Sequence, residues 1–211
     1  ALNYLRSDLR LQTGNNVDAT AANTFGVDIS GYYQSEEEAY NDYNGRWRAG
    51  FAIQNIGPKF KYDDGATENF QPTNLRLGAG FDFILDDYNK VSITAEVAKL
   101  LVPTPPILGT ELVFNDNNDN GEYDEPANPN DLQPGEDELI SETDGVIFSG
   151  QSQDVSFLSG IFQSFGDAPG GFSEELREFT WSLGAEYLYQ DSFAFRAGYF
   201  NESQDKGERR F

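Results

Sequence analysis

Strict alternation of apolar and polar residues over residues 73–85 is the feature that most constrains the fold. One side of this segment carries Leu75, Leu77, Ala79, Phe81, Phe83 and Leu85. The other side carries Asn74, Arg76, Gly78, Gly80 and Asp82. Because successive side chains of a strand point to opposite faces, this pattern predicts a strand with one apolar and one polar face.

The same alternation recurs along the chain. It is clear in residues 179–189 and 192–202 and weaker in residues 5–11, 24–34, 46–54 and 91–97. Helical periodicity is nearly absent, so the sequence predicts an all-β protein with seven antiparallel strands of about ten residues each.

Two architectures share this pattern, a soluble sandwich and a transmembrane β-barrel. The predicted polar faces mix both signs of charge, with Arg6, Asp8, Arg10, Asp28, Arg46, Arg48, Arg76, Asp82, Glu96, Glu186 and Arg196. The apolar faces place aromatic residues near strand ends, namely Trp47, Tyr187, Tyr189, Phe193 and Tyr199. An ionic lumen and aromatic girdles favour the barrel, although a water-facing sheet surface has a similar pattern.

The lengths of the connections also favour a barrel. Tight turns at 86–89 and 190–192 fall on one predicted side, which we assign to the periplasm. The connections 13–21, 63–72, 103–174 and 203–208 fall on the other side, and the eleven-residue connection 35–45 is the exception. Bacterial outer-membrane barrels alternate short periplasmic turns with long external loops. We therefore expect the long connections to be extracellular.

The pattern also indicates that this is an internal piece or processed form of a single barrel domain. An eighth strand is predicted to begin at Arg209, the chain contains no Met, and its first residues do not form a signal peptide. No apolar run approaches the ~18 residues of a membrane helix.

Composition excludes several classes of function. The chain contains no His and no Cys, which excludes His-based triads, thiolate nucleophiles, Fe–S clusters and disulfides. Its net charge of −22 argues against nucleic acid as a partner. We expect no cofactor.

The negative charge is concentrated in one predicted external loop region, residues 103–174. Sixteen acidic residues lie from Glu111 to Glu175, and no Lys or Arg lies between Lys99 and Arg177. The rest of the chain has a net charge of only −6. Acidity is therefore a property of this region and not of the predicted barrel.

Part of the acidic region has the spacing of a calcium loop. Asp116, Asn118, Asn120 and Asp124 place oxygen ligands around Gly121. The position of the closing Glu is occupied by Ala127, for which Asp131 or Glu136 is a possible substitute. The alternative is a solvated loop of Asx turns.

A short amphipathic helix is predicted near residues 155–165. Asp154 is the expected N-cap, and Gly166 and Pro169 follow the helix. Leu158, Ile161, Phe162 and Phe165 form its apolar stripe. The stripe either plugs the barrel mouth or docks against a partner, and these four residues are the candidate docking residues.

Other candidate groups have structural explanations. Asp82 and Glu96 on adjacent strands resemble a glycosidase pair, but pairing with Arg48 or Arg76 explains them better. Gly78, Gly80, Gly184 and Gly198 precede no helix, so they form no phosphate loop and are expected to relieve crowding inside the barrel.

Several non-periodic segments carry a family resemblance. These segments are residues 55–59 (NIGPK), 72–81 (PTNLRLGAGF), 99–105 (KLLVPTP), 159–165 (SGIFQSF), 167–176 (DAPGGFSEEL), 184–187 (GAEY) and 196–200 (RAGYF). They resemble the PorV (LptO) family, FadL-like outer-membrane barrels that serve the type IX secretion system of Bacteroidota. The resemblance covers most of residues 46–105 and 155–207 and is poor in residues 1–20 and 106–150.

This resemblance implies a barrel of about fourteen strands, of which the chain is the C-terminal half. It also implies a non-catalytic role in the outer membrane, in contact with lipid. The implied partners are the large translocon pore and the C-terminal signal domains of secreted cargo, which is carried to the surface attachment machinery. No family site residue can be assigned to this chain. A FadL-like transporter of hydrophobic small molecules is the alternative, and an outer-membrane hydrolase is a third, disfavoured possibility.

Overall fold

The computed structural model describes residues 1–7, 22–61, 67–126 and 132–204, and within them it forms ten strands and two short helices. The strands are β1 (Leu2–Ser7), β2 (Ala22–Gln34), β3 (Glu38–Ala39), β4 (Asn44–Ile56), β5 (Asn74–Ile84), β6 (Asn89–Leu100), β7 (Ile107–Asn115), β8 (Glu138–Ser149), β9 (Phe179–Tyr189) and β10 (Phe193–Asn201). The helices are α1 (Phe157–Gln163) and α2 (Phe172–Arg177). Neither has the length or the apolar character that a membrane-crossing helix requires.

Seven strands form one antiparallel sheet in the order β1-β2-β4-β5-β6-β9-β10, and β3 pairs with the start of β4. These seven strands correspond to the seven alternating segments, so the all-β antiparallel prediction is confirmed. Each strand of the sheet pairs with the next of the seven predicted segments along the chain. This includes β6 and β9, which pair from Asn89 opposite Tyr189 to Lys99 opposite Phe179. Within the described residues the sheet is open, with β1 and β10 at its edges.

The register aligns the apolar faces of adjacent strands. Trp47 of β4 lies opposite Phe81 of β5, and Phe81 lies opposite Ile93 of β6. Ile93 in turn lies opposite Ala185 of β9. Cross-strand partners share one face of a sheet, so the apolar surface is continuous from strand to strand. Aromatic contacts reinforce it, with the Trp47 and Phe81 ring centroids 4.7 Å apart.

This apolar face is exposed, which decides between the two architectures. Tyr4, Trp47 and Phe195 expose 72%, 54% and 65% of their surface. Only three of the described hydrophobic residues are buried, namely Ala22, Leu101 and Ala168. A sandwich covers the apolar face of each sheet with the other sheet, whereas a barrel wall turns that face to lipid. The sheet therefore fits the wall of a transmembrane β-barrel.

Short connections lie at one end of the sheet, which we call the turn end. Residues 85–88 join β5 to β6, and residues 190–192 join β9 to β10. In the first turn, the Asp86 Oδ1 atom accepts a hydrogen bond from the Asn89 backbone N–H at 2.9 Å. The hydrogen bonds from Asn89 are the main reason that the pKa of Asp86 lies below its ordinary value. The connection 35–43, which was the exception in length, is folded back on β4 through β3.

Long connections lie at the opposite end, which we call the loop end. Residues 57–73 join β4 to β5, and residues 101–178 join β6 to β9. The second connection contains the hairpin β7–β8, which pairs with no strand of the main sheet in the described residues. The sequence did not predict this hairpin because three register shifts interrupt its pairing and break the period of two.

The predicted phase of the first strand is wrong. Tyr4 lies opposite Phe25 on the apolar face, whereas Leu5 lies opposite Thr24 on the polar face. Arg6, expected on the polar face, therefore shares the face of Tyr4. Because a shift of one residue exchanges the two faces of a strand, a short segment with few apolar residues fixes its phase poorly from sequence. The predicted positions Asp8, Arg10, Ala127, Asp131 and Arg209 lie outside the described residues.

The N-cap of α1 is Ser156 and not Asp154. The Ser156 Oγ atom accepts a hydrogen bond from the Ser159 backbone N–H at 3.2 Å, which satisfies a donor of the first turn. The helix ends at Gln163, two residues before the predicted end. Helix α2 was not predicted, since six residues are too few to establish helical periodicity.

Candidate functional site

Helix α1 presents its apolar stripe to solvent. Leu158, Phe162 and Phe165 expose 52%, 76% and 45% of their surface, and Ile161 is half-buried. The buried residue of the helix is Gly160. The helix therefore packs through a face other than the predicted stripe.

Gly160 allows α1 to approach the other loops closely. A Cβ atom at this position would lie 2.5 Å from the Phe70 Cε1 atom and 3.0 Å from the Pro103 Cγ atom. Phe70 belongs to the connection 57–73, so α1 rests on both long connections. The plug and the docking surface both stay predictions, and within the described residues the stripe is largely exposed.

Helix α2 adds two more exposed apolar side chains at the loop end. Phe172 and Leu176 expose 77% and 55% of their surface. Sequence analysis missed them because it did not predict α2. We call the following set the loop-end apolar residues: Leu158, Phe162, Phe165, Phe172 and Leu176.

Hydrogen bonds fix the connection around α1. The Lys59 Nζ atom donates to the Gln153 backbone carbonyl at 3.0 Å and lies 4.2 Å from the centroid of the Phe70 ring. The Gln153 Nε2 atom donates to the Pro103 carbonyl at 2.8 Å. Residues that are far apart in sequence therefore hold the helix in one position relative to the sheet.

A second group at the loop end is ionic, and we call it the loop carboxylate cluster: Asp167, Glu175 and Glu178. Lys99, at the end of β6, is completely buried against it. Its Nζ atom lies 2.6 Å from the Glu175 Oε1 atom and 2.6 Å from the Glu178 Oε2 atom. These ion pairs attach α2 and the residue after it to the sheet.

Thr104 binds two members of the loop carboxylate cluster. Its hydroxyl donates to the Glu178 Oε1 atom at 2.5 Å, and its backbone N–H donates to the Asp167 Oδ2 atom at 2.9 Å. The Asp167 Oδ1 atom is buried and has no hydrogen-bond partner among the described residues. Burial is the main reason that the pKa of Asp167 lies above its ordinary value, and the negative charges of Glu175 and Glu178 raise it further.

The carboxylate oxygens of the loop carboxylate cluster lie close together. One carboxylate oxygen from each of its three residues lies within 4.8 Å of the other two. In the described part of the chain, no other group of three acidic side chains meets this condition. Sequence analysis missed the cluster, since its members belong to different segments that only the fold brings to Lys99.

The predicted calcium loop at residues 116–124 forms a network of its own. The Asp116 Oδ2 atom accepts a hydrogen bond from the Gly121 backbone N–H at 2.7 Å, which is the main reason that the pKa of Asp116 lies below its ordinary value. The Asp124 Oδ2 atom accepts from the Asn118 and Asn120 side-chain amides at 2.7 and 2.8 Å. Loop amides thus donate to several of the oxygens that were expected to bind calcium, and the calcium loop stays a prediction.

On the polar face of the sheet, both candidate catalytic acids form ion pairs with arginines. Asp82 contacts Arg48 at 2.7 Å and Arg46 at 3.2 Å, and Glu96 contacts Arg76 at 3.4 Å. The expectation that these acids pair with arginines is confirmed. Each acid stabilises charges across neighbouring strands, and neither is positioned by another carboxylate for acid–base chemistry.

Crowding explains some of the glycines on this face. A Cβ atom at Gly184 would lie 2.8 Å from the Thr94 Oγ1 atom, and one at Gly80 would lie 3.1 Å from the Ile93 carbonyl oxygen. At Gly78 and Gly198 the nearest atoms would be at 3.7 and 3.4 Å, which are ordinary contacts. The predicted relief of crowding is therefore confirmed for the first two positions only.

The antiparallel sheet has one exposed apolar face and one ionic face. Together these features define a protein of the outer-membrane β-barrel type. A family model described as type IX secretion system protein PorV matches residues 1–107, which is half of the chain. The chain belongs to this family and is a component of the type IX secretion system. No curated protein matches the chain significantly.

The family match confirms the resemblance in the first half of the chain. It contains the segments at residues 55–59, 72–81 and 99–105, and it extends over residues 1–20, where we found little resemblance. The similar segments beyond residue 107 lie outside the match. The loop-end apolar residues and the loop carboxylate cluster also lie outside it, whereas Lys99 lies inside it.

Proposed function

We propose that the chain is a non-catalytic binding component of the type IX secretion system. In this proposal it spans the outer membrane with its loop end outside the cell. It binds the translocon pore and the C-terminal signal domains of cargo, and it carries cargo to the surface attachment machinery. Membership of the secretion family supports the general role, and the surface of the loop end supports a binding role.

The exposure of Phe162 is the observation that carries the proposal. An aromatic side chain that exposes 76% of its surface on a helix held by other contacts is available to a partner. Phe172 provides a second such side chain on α2. Aromatic residues dominate the binding energy of many protein interfaces because they bury a large area at low entropic cost.

The experiment is co-purification of the pore with the full-length protein carrying Phe162→Asp. We expect recovery of the pore to fall by roughly tenfold or more, because a charge replaces an aromatic contact. Phe148→Asp is the matched control, since Phe148 of β8 is also exposed, at 65%, but lies on the hairpin. Heat-modifiable migration on a gel shows that both variants remain folded.

Undiminished recovery of the pore with Phe162→Asp contradicts a docking role for α1. Mass spectrometry of the native complex tests the wider proposal. A large pore protein or cargo signal domains support it, whereas a barrel isolated only with bound lipid supports the transporter class instead. The ionic polar face gives a hydrophobic substrate little to bind, which is why we favour the secretion role.

A further inference from the structure

The apolar face of the sheet changes its character at the loop end. Four residues on neighbouring strands form one exposed apolar row on this face, namely Phe51, Leu77, Val97 and Trp181. Two residues beyond Val97 on β6, and on the same face, the chain has Lys99. A charge on a lipid-facing surface is destabilising except near the edge of the membrane. Lys99 therefore lies at the boundary of the lipid-facing surface.

Helix α2 covers Lys99 on this face. The Lys99 Nζ atom contacts the Glu175 and Glu178 carboxylates at 2.6 Å each and lies 5.0 Å from the centroid of the Phe179 ring. The helix is therefore on the same side of the sheet as the lipid-facing side chains. Glu175 is buried against Lys99, whereas the next residue, Leu176, exposes 55% of its surface. An apolar side chain of α2 is thus uncovered at the membrane boundary.

A groove lies between α2 and the apolar face of the sheet. Its volume is about 720 Å³, within the range of about 300–1,000 Å³ that is typical of small-molecule sites. Val97, Phe179 and Trp181 line the groove from the sheet, and Leu176 lines it from the helix. The Tyr199 ring centroid lies 5.3 Å from that of Trp181, so the aromatic surface continues onto β10.

The floor of the groove is continuous with the lipid-facing wall. Val97 lies opposite Leu77 on one side and opposite Trp181 on the other. The exposed apolar row therefore runs from the wall directly into the groove. Water in such a recess would be in contact with apolar side chains, which is unfavourable. Hydrocarbon chains that already pack against the wall are the medium that can fill it.

The rim of the groove is polar. Arg177 follows Leu176 at the end of α2, and Asn201 and Glu202 lie at the end of β10. The groove thus combines an apolar floor with polar and charged groups at the membrane boundary. A molecule with an apolar chain and a polar head matches this arrangement, whereas an entirely apolar molecule matches only the floor.

We propose that the groove binds one acyl chain of a phospholipid from the membrane leaflet at the loop end. The chain packs against Val97 and Trp181, Leu176 covers it from the helix, and the headgroup lies at the polar rim. The bound lipid fills the space between α2 and the wall, and it thereby supports the helix that covers Lys99.

The inference requires only that the apolar face of the sheet meets lipid. It does not depend on the proposed binding of the pore or of cargo. Lipid retention and pore recovery are separate measurements, and each can fail alone.

The test is native mass spectrometry of the full-length protein, which is delipidated in detergent and then incubated with palmitoyl-oleoyl-phosphatidylethanolamine. We expect one lipid per chain to remain bound at collision energies that remove loosely attached lipids. Trp181→Ala removes the largest side chain of the groove floor. This variant is expected to lower the retained lipid by at least about fivefold, because an aromatic side chain contributes a large apolar contact area.

Trp47→Ala is the matched control for Trp181→Ala. Trp47 is an exposed tryptophan on the same face of the sheet, but it does not line the groove. We expect this variant to retain lipid like the unaltered protein. Equal losses in the two variants overturn the proposal, and so does an unaltered protein that retains no lipid.

Leu176→Asp tests the groove without changing a strand of the sheet. Leu176 belongs to α2 and is already half exposed, so the wall is expected to remain folded. The retained lipid is expected to fall by at least about fivefold, because a charge enters the apolar groove. Phe148→Asp, which places the same charge on the hairpin β7–β8, is expected to retain lipid. Normal retention with Leu176→Asp overturns the proposal.

Competition with oleic acid distinguishes a bound phospholipid from a transported small molecule. Both carry an acyl chain, but the phospholipid adds a second chain along the wall and a larger headgroup at the rim. We therefore expect an equimolar amount of oleic acid to leave the phospholipid bound. Displacement of the phospholipid overturns its assignment to the groove and supports the transporter class.

Discussion

Two ionic clusters in this protein are arranged in opposite ways. On the sheet, the carboxylate of Asp82 lies between two guanidinium groups, from Arg46 and Arg48. At the loop end, the ammonium group of Lys99 lies between two carboxylates, from Glu175 and Glu178. One acid thus holds two cations in the first cluster, and one cation holds two acids in the second.

The difference appears in the hydrogen bonds of the buried acids. Both oxygens of Asp82 are occupied, since Arg46 donates to Oδ2 while Arg48 and the Ser92 hydroxyl contact Oδ1. Asp167 in contrast has one oxygen without a donor in the described part of the chain. A buried acid whose oxygens are all satisfied is stabilised in its charged form, whereas burial with one oxygen lacking a donor favours the neutral acid.

Of the substitutions that test this comparison, Lys99→Met is expected to cause the largest loss of stability. The change removes the ammonium group from Glu175 and Glu178, and breaking a buried ion pair in this way costs about 3–5 kcal/mol. We expect to observe the loss as faster hydrogen exchange of the α2 amides. Lys61→Met is the control, because Lys61 and Glu68 are about half exposed and such a pair contributes at most about 1 kcal/mol. Unchanged protection of α2 contradicts the role given to Lys99.

Asp82→Asn is expected to have the next largest effect. It leaves two adjacent guanidinium groups without a counter-charge, but these groups are 27% and 30% exposed and retain some hydration. We therefore expect a loss of about 2–3 kcal/mol in the free energy of unfolding, below that of a fully buried pair. Urea unfolding followed by Trp fluorescence measures this free energy.

The control is Glu96→Gln, because Glu96 belongs to a pair that is about half exposed. This variant is expected to lose at most about 1 kcal/mol. Equal losses in the two variants argue against this account of Asp82.

Glu175→Gln is expected to have the smallest effect. Lys99 keeps its contact with Glu178, and the repulsion between Glu175 and Asp167 is removed. We expect the protection of α2 to change by less than about 1 kcal/mol, because the lost attraction and the relieved repulsion nearly offset each other. A loss as large as that of Asp82→Asn indicates that the two clusters are balanced alike, and the comparison then fails.

The strands of the main sheet could be predicted because their period of two is uninterrupted. In β5, every residue from Asn74 to Ile84 keeps its partner in both neighbouring strands. The pairing of Glu96 with Arg76 followed from the same alternation. The hairpin β7–β8 could not be predicted because register shifts after Ile107, Gly109 and Val113 interrupt its period of two.

The candidate site could be predicted only where it is local in sequence. Leu158, Phe162 and Phe165 are separated by helical intervals, so their shared face was visible before the structure. The contact of Lys99 with Glu175 joins residues that are 76 positions apart. Sequence spacing gives no rule that places such distant residues in contact. The conformation of the long loop between them could not be predicted either.

The pairing of β6 with β9 has a consequence for how the sheet assembles. Strands β5 and β6 meet across residues 85–88, whereas β6 and β9 meet only after residues 101–178 have been gathered at one end. Closing the longer segment costs roughly 2–3 kcal/mol more in chain entropy if both behave as flexible loops. We therefore expect the early hairpins to form first and the β6–β9 seam to join them afterwards, at a rate set by the intervening chain.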